Sequence, residues 1–292
     1  MKKLLLFVLS ALCPLAVLAQ GGSEALPFVR TDLGPVLSGT AGAAVASTEA
    51  GAWSAFRSGA AASVSENLSN VAVQMRLNGS FPGGAAALSL KPMDNLGVAI
   101  GLMYQSGDKV GDYRTSDILL AAGAGFNITE TLSVGVNARY AKQQLLSNLA
   151  YSGLSFDFSV MDRFSDAVSA IAGVSTLGGK VTSTSGNQYS QPANVYTGAE
   201  LRYDISDGVL SADAMAEYYF SGSYAAALGV AYTYQEKASL RLGYRYASEW
   251  CVLPGQFSAG AGYNFGSISL DASFTRISSQ NIIALGIGYT IK

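Results

Sequence analysis

Hydrophobic and polar residues alternate along most of this chain with a period of two. In the last stretch the odd positions from Ile283 to Ile291 are large and apolar, whereas the even positions from Ala284 to Thr290 are small. Successive side chains of a β-strand point to opposite faces of its sheet, so this alternation predicts strands with one apolar face. The same alternation recurs at 96–104, 240–246 and 268–274.

Turn residues divide the chain from residue 70 onward into fourteen alternating segments. The predicted strands are 70–78, 84–91, 96–106, 116–127, 132–144, 154–162, 167–176, 193–204, 208–220, 224–235, 239–248, 256–265, 268–276 and 281–292. Every second connection is short, as at 92–95 and 205–207, whereas several of the others are longer and polar, as at 177–192. Short turns at one end and longer loops at the other are typical of an outer-membrane barrel.

The small residues of the second face distinguish a barrel from a β-sandwich. A sandwich packs its apolar faces together and covers its surface with polar ones. A face of Gly, Ala and Ser suits a crowded interior better than a water-covered surface. We therefore expect Gly286→Arg to fail through crowding and Leu285→Arg to fail through exposure of the arginine to lipid. An even number of strands closes an antiparallel sheet and leaves no unpaired edge in hydrocarbon. The sequence therefore predicts an all-β fold, a closed antiparallel transmembrane β-barrel of about 14 strands with an N-terminal plug.

Composition narrows the range of functions. Only 13% of the residues are charged, against roughly 25% in soluble domains. Histidine is absent, which excludes His-based metal sites, Ser-His-Asp triads and the histidine chemistry of outer-membrane phospholipases and proteases. The net charge of −2 provides no basic field for nucleic acid. We expect no catalytic residue, no metal and no cofactor.

The first 69 residues do not alternate and divide into two predicted parts. Residues 1–19, with Lys2, Lys3 and an apolar run, have the form of a signal peptide. A lipoprotein anchor at Cys13 is a weaker alternative, because the residue before it, Leu12, is bulky. Residues 20–69 are predicted to form a plug or hatch inside a barrel that comprises residues 70–292.

Two groups of residues are candidates for a site. Within the plug, Trp53, Phe56 and Arg57 are candidates for ligand binding or gating, although the two aromatic rings would equally serve as anchors of the plug. Charged residues at inward positions would either line a solute path or pair across strands and with the plug, and Asp213 and Glu217 with Arg241 and Arg245 form one possible network. The predicted lumen-lining charges are Arg76, Arg139, Asp157, Glu200, Arg202, Asp213, Glu217, Arg241, Arg245 and Asp271. Aromatic residues near strand ends, including Tyr104, Tyr219 and Trp250, are predicted to form interfacial girdles.

Three segments carry a resemblance to a known family. LPFVRTDLGPVLSGTAGAAVASTEAGAWSAFRSGAA (26–61), SLRLGYRY (239–246) and FSAGAGYNFGSISLDASF (257–274) resemble PorV/PorQ-type outer-membrane proteins, which are grouped with the FadL-like transporters. The resemblance implies a 14-stranded barrel with an N-terminal hatch in the bacterial outer membrane. The chain departs from the family where Phe56 is followed by Arg57-Ser58-Gly59-Ala60 instead of Asn-Pro-Ala, and where it ends in Lys292 instead of an aromatic residue.

The resemblance implies two functions, both non-enzymatic, for a protein embedded in outer-membrane lipid. The first is an accessory of protein export, as in type IX secretion, that binds secretion-system proteins at the outer mouth. The second is a FadL-like channel for small hydrophobic molecules, gated by the plug. A plain diffusion pore is disfavoured because a plug obstructs the lumen.

Overall fold

The fold is a closed antiparallel barrel. A computed structural model describes residues 24–65, 68–77, 82–110, 113–278 and 280–291, and the predicted signal peptide lies outside them. The strands are β1 Ser69–Leu77, β2 Gly83–Met93, β3 Leu96–Val110, β4 Tyr113–Asn127, β5 Leu132–Leu146, β6 Leu149–Ser165, β7 Val168–Gly178, β8 Val181–Ser183, β9 Gln188–Tyr189, β10 Asn194–Ile205, β11 Gly208–Tyr219, β12 Tyr224–Tyr234, β13 Ala238–Ala247, β14 Gln256–Asn264, β15 Ile268–Ile277 and β16 Gln280–Ile291. Fourteen of them form a continuous ring, because β1 pairs with β16, β7 pairs with β10, and β5 pairs with β6.

The predicted number of barrel strands is confirmed, and the differences lie at their outer ends. Strand β6 has 17 residues and begins at Leu149, within a stretch predicted as a loop. The two short strands β8 and β9 form a hairpin in the predicted loop 177–192, and β8 pairs with β6. A barrel strand needs only about 9–11 residues to cross a bilayer. The arms that continue beyond this length are polar, so their sequence does not carry the apolar alternation.

Strand β7 contains an irregularity that the sequence pattern does not predict. Across from it, Phe156 pairs with Leu177 and Phe158 pairs with Val174, so two residues of β7 oppose the single residue Asp157. One of them, Thr176, has a φ of 58°, and its backbone N–H donates to Asp157 Oδ1 over 2.7 Å. A bulge of this kind disrupts the ladder locally and bends the strand.

The outer surface of the barrel is an apolar belt. Large side chains at alternate positions of the strands face outward and remain exposed, such as Leu228 at 68% and Leu240 at 65%. A continuous belt of exposed apolar side chains around a closed barrel is stable in contact with lipid. No helix in the described ranges is long and apolar enough to cross a membrane.

The aromatic residues predicted for the interfacial girdles differ in exposure, and the prediction is wrong for Tyr219. Tyr104 and Trp250 are exposed, whereas Tyr219 is fully buried. It lies two residues after Glu217 and therefore shares the inward face of β11, where its hydroxyl donates to Glu217 Oε1 over 3.0 Å.

The described N-terminal residues 24–65 form four short helical segments that pack inside the barrel. Two 3₁₀ segments, Pro27–Arg30 and Thr48–Phe56, alternate with two α-helices, Pro35–Gly39 and Gly59–Val64. Proline lies in the first turn of the Pro27–Arg30 and Pro35–Gly39 segments, where its missing N–H breaks no helical hydrogen bond. The Ser47 hydroxyl accepts from the Glu49 N–H and caps the Thr48–Phe56 segment.

Glycines of the wall give the N-terminal segment its space. A side chain at Gly97 would meet the backbone of Ala62, and one at Gly135 would meet the backbone of Ala60. Gly286 differs, because a Cβ there would lie no closer than 3.6 Å to another atom outside its neighbours. A first side-chain carbon at Gly286 is therefore not crowded, and failure of Gly286→Arg through crowding stays a prediction for the longer arginine side chain.

Candidate functional site

Charges of the N-terminal segment pair with the wall near the outer ends of the strands, where the longer loops lie. Arg30 Nη2 lies 2.8 Å from Glu217 Oε2, and Arg245 Nη2 lies 3.1 Å from Asp32 Oδ1. Gln256 donates to Asp32 Oδ2 over 2.8 Å. The predicted lumen charges Glu217 and Arg245 are thus bound to the plug, not to each other.

Arg139 binds the plug to the wall on the opposite side. It is 2% exposed and forms an ion pair of 2.5 Å with Asp157. The same guanidinium donates to the carbonyl oxygens of Val29 over 3.1 Å and Phe56 over 2.9 Å. Breaking a buried pair of this kind leaves an uncompensated charge, so Arg139 fixes the plug against β5 and β6.

Two further ion pairs lie toward the short-turn, periplasmic ends. Arg241 Nη1 lies 2.9 Å from Asp271 Oδ1 across β14, where the intervening Gly262 has no side chain. Arg202 lies 3.7 Å from Glu49 of the plug, and both side chains are partly exposed. An exposed pair contributes little to stability, so this contact is the weakest of the five recorded among the described residues.

Four of the charged residues predicted as site candidates lack a complete set of hydrogen-bond and ion-pair partners. Glu200 lies directly across the β10–β11 ladder from Asp213 and receives hydrogen bonds from Ser169 over 3.4 Å and from Ser47. Asp213 is 3% exposed, and its Oδ1 is buried with no hydrogen-bond partner. Arg76 has an unpartnered buried Nη1. Arg57 is 8% exposed and donates to the Ala44 carbonyl, while its Nε is unpartnered.

Burial of Arg57 has an electrostatic consequence. Loss of solvation lowers the pKa of its guanidinium to about 10, although the charges of Asp213 and Glu200 act in the opposite direction. The Arg57 guanidinium therefore lies within the field of these two carboxylates without forming an ion pair with either.

Small cavities lie between the plug and the wall, and two of them border the candidate residues. The central cavity has a volume of about 50 Å³ and is bordered by apolar side chains such as Val29, Leu33 and Phe56 together with Arg57 and Arg139. A lower cavity of about 20 Å³ is bordered by Glu49, Glu200, Arg202, Asp213 and Arg241. An engineered cavity that binds benzene has a volume of about 150 Å³, so both cavities are small for an aromatic molecule in this conformation.

The three plug candidates occupy different places. Phe56 and Arg57 border the central cavity, whereas Trp53 does not. Trp53 and Phe56 belong to a buried apolar cluster that includes Leu26, Phe28, Met103 and Leu119, and their ring centroids are 6.2 Å apart. Within the described residues, no group of three or more His, Cys, Asp or Glu side chains is arranged to hold a metal ion.

The sequence pattern did not indicate Arg30, Asp32 and Glu49 as functional residues. Each of them pairs with a charge of the wall. The sequence did contain a sign of this pairing. These three residues are among the few charges of a segment predicted to lie inside a barrel, and a charge buried there requires a partner.

Solved structures provide the relevant comparisons. No protein-family model and no curated protein matches the sequence. The P. putida toluene transporter TodX is similar with a TM-score of 0.65 and 14% identity, covering 89% of this chain and 98% of TodX. A Pseudomonas aeruginosa FadL homologue gives 0.60 and 11%, covering 88% and 98%. The Acinetobacter baumannii outer membrane protein Omp33 gives 0.53 and 11%, covering 77% and 98%.

These structural similarities concern the fold. They agree with the apolar belt on the outer surface of the barrel, since the similar structures include an outer membrane protein. At such low identity they do not transfer an activity to this chain. The protein is an integral barrel of the bacterial outer membrane, with fourteen antiparallel strands and the fold of FadL-type channels.

Proposed function

We propose that this protein is a channel for small hydrophobic molecules across the outer membrane and that its N-terminal segment is the gate. The observation that carries the proposal is the central cavity, where apolar side chains of the plug face charged side chains of plug and wall. Binding pockets for small molecules combine an apolar lining with a few placed polar groups. This cavity lies inside the barrel, on the line between the outer mouth and the periplasmic end.

The filled lumen favours a gated channel over a general diffusion pore. Plug segments contact the inner faces of strands on opposite sides of the barrel, including β3, β5, β10 and β13. A diffusion pore requires a continuous water-filled path, as in porins. TodX, which has a similar fold, is described as a toluene transporter, and this supports a hydrophobic substrate class. The central cavity must enlarge before such a molecule can pass, so the plug moves during transport.

The alternative, a PorV/PorQ-type accessory of protein secretion, is not supported by a similar fold with that function. The similar folds named above include a toluene transporter and a FadL homologue, and no secretion protein is among them. We propose no catalytic activity, and we assign Phe56 and Arg57 to the gate because both border the central cavity. Trp53 is assigned to anchoring of the plug, since it packs in the apolar cluster.

Uptake by whole cells tests the proposal. The protein is expressed in a Gram-negative host that lacks hydrocarbon channels and carries a cytoplasmic toluene-degrading enzyme, and toluene consumption is measured at limiting concentration. We expect faster consumption than with an empty vector, without increased entry of a hydrophilic antibiotic of similar mass. Equal consumption with and without the protein would exclude the channel, and parallel entry of the antibiotic would indicate a general pore.

A further inference from the structure

One turn of the plug separates the two cavities. This turn, residues 40–45, places Gly42 and Val45 on the central cavity, while Ser47 just beyond it borders the lower cavity. On β11 the inward residues Met215 and Glu217 border the central cavity, and Asp213 borders the lower one. The two cavities therefore follow the same part of the wall, and the turn is the barrier between them.

Wall glycines make room for this turn. A side chain at Gly198 would meet Val45, one at Gly229 would meet Thr40 and Ala43, and one at Gly243 would meet the Thr40 backbone. Because these glycines lie on β10, β12 and β13, the turn rests against a smooth section of wall. Displacement of the turn would leave a path bordered by small residues.

The turn has few polar ties to the barrel. Its hydrogen bonds are internal, such as Ala43 N–H to the Thr40 carbonyl and Gly42 N–H to the Leu37 carbonyl. Among the described residues, no hydrogen bond joins residues 40–45 to a strand; the nearest is that of Ser169 to the Ala46 carbonyl. Ala41 has a φ of 52°, which is unfavourable for a residue with a side chain. The turn is thus held mainly by packing and by the Arg57 hydrogen bond to Ala44.

Arg57 and Asp213 are a pair of buried opposite charges that are not joined. The Arg57 guanidinium donates a hydrogen bond to a neutral carbonyl oxygen. Asp213 faces the like charge of Glu200 and has a buried carboxylate oxygen without a hydrogen-bond partner. A buried charge without an opposite partner is costly. Each of the two charges lies within the field of the other, so a direct ion pair would supply the opposite charge that both lack.

We propose that Arg57 is a two-position latch that holds the Ala44 carbonyl when the plug is closed and pairs with Asp213 when it opens. In the open position the 40–45 turn loses its polar tie and moves from the glycine groove, which joins the two cavities into one path. A molecule that enters as the central cavity enlarges contacts Phe56 and Arg57, and it favours the second position by binding that position more tightly. This inference rests on the proposed channel function.

A reversible disulfide tests whether the turn moves. In a Cys251→Ser background, Ala43→Cys is combined with Gly229→Cys, because a Cβ at Gly229 would lie 3.1 Å from the Ala43 Cβ, a distance slightly shorter than the roughly 3.5–4.5 Å that is usual in disulfides. The control pair is Ser38→Cys with Ser273→Cys, whose hydroxyl oxygens are 3.1 Å apart. It ties the Pro35–Gly39 helix, which the proposal leaves in place.

We expect the oxidised Ala43–Gly229 pair to reduce toluene consumption by at least about tenfold and a reductant to restore it. The oxidised control pair should retain the rate of its reduced form. Transport at the wild-type rate through the oxidised Ala43–Gly229 pair would overturn the movement of the turn while leaving the channel function intact. Absence of transport by the wild type would instead remove the channel function.

The charge switch itself is tested by Asp213→Asn and Arg57→Gln. Asp213→Asn should reduce consumption when Arg57 is present and should have no further effect in the Arg57→Gln background, because the switch needs both charges. Normal heat-modifiable migration on gels identifies variants that fold. If the two effects multiply in the double variant, the two residues act independently and the latch is wrong.

A readout that does not require transport completes the test. In the Cys251→Ser background, a single Ala43→Cys variant is labelled with a water-soluble maleimide, because the turn is reached only when it leaves the wall. We expect Asp213→Asn to slow labelling by at least about tenfold. Equal labelling with and without Asp213→Asn would refute the latch, whatever the channel carries.

Discussion

Substitution of Leu285 by arginine tests the facing of the whole barrel. Leu285 lies near the middle of β16 and is 44% exposed on the outer face. Its direct partners on the neighbouring strands are Met75 and Ala272, neither of which offers a charge. An arginine on the lipid face at mid-depth costs about 2–4 kcal/mol. This reduces the folding equilibrium constant by about 30-fold to about 1,000-fold.

Gly286→Arg is the matched control on the same strand. A Cβ at Gly286 would lie 3.8 Å from the Asp271 Cβ on the inner face, so the first carbon of an arginine there has space and an opposite charge lies nearby. Both variants are refolded into phospholipid vesicles, and the free energy of unfolding is measured by denaturant titration with tryptophan fluorescence. We expect a loss of about 2–4 kcal/mol for Leu285→Arg and a clearly smaller change for Gly286→Arg. Equal losses, or wild-type stability of Leu285→Arg, would refute the assignment of the outer face.

Two further predictions concern the packing of the plug. Gly135→Ala should destabilise the protein or release the plug, since the added methyl group would meet the Ala60 backbone, whereas Gly286→Ala should leave denaturant stability and protease resistance of the N-terminal segment unchanged. Arg139→Met should cost about 3–5 kcal/mol, because it leaves the Asp157 carboxylate buried without its partner. Denaturant titration measures this loss in the free energy of unfolding. A loss below about 1 kcal/mol would mean that the Arg139–Asp157 pair is exposed to solvent, which would contradict its burial in the structure.

The strands and their facing could be predicted because a period of two is a local property. The face on which each residue of β16 lies can be read from the residues next to it in the sequence. A belt of large apolar side chains on the outside of a barrel is stable only in contact with lipid. Tyr219 shows that the same rule also corrects an error, since its spacing from Glu217 places it inside. The bulge of β7 at Thr176 could not be predicted, because it depends on the hydrogen bond to Asp157 of the adjacent strand.

The sequence by itself determined that the chain forms a closed membrane barrel with a non-alternating segment ahead of it, because alternation, strand number and loop lengths are written in consecutive residues. Only the tertiary structure decided which charges pair. Arg30 and Glu217 are 187 residues apart along the chain, and the plug has no period from which its orientation could be read. The relation between Arg57, the Ala44 carbonyl and Asp213 likewise exists only when the plug lies against β10 to β13, since burial removes the water that would otherwise solvate both charges.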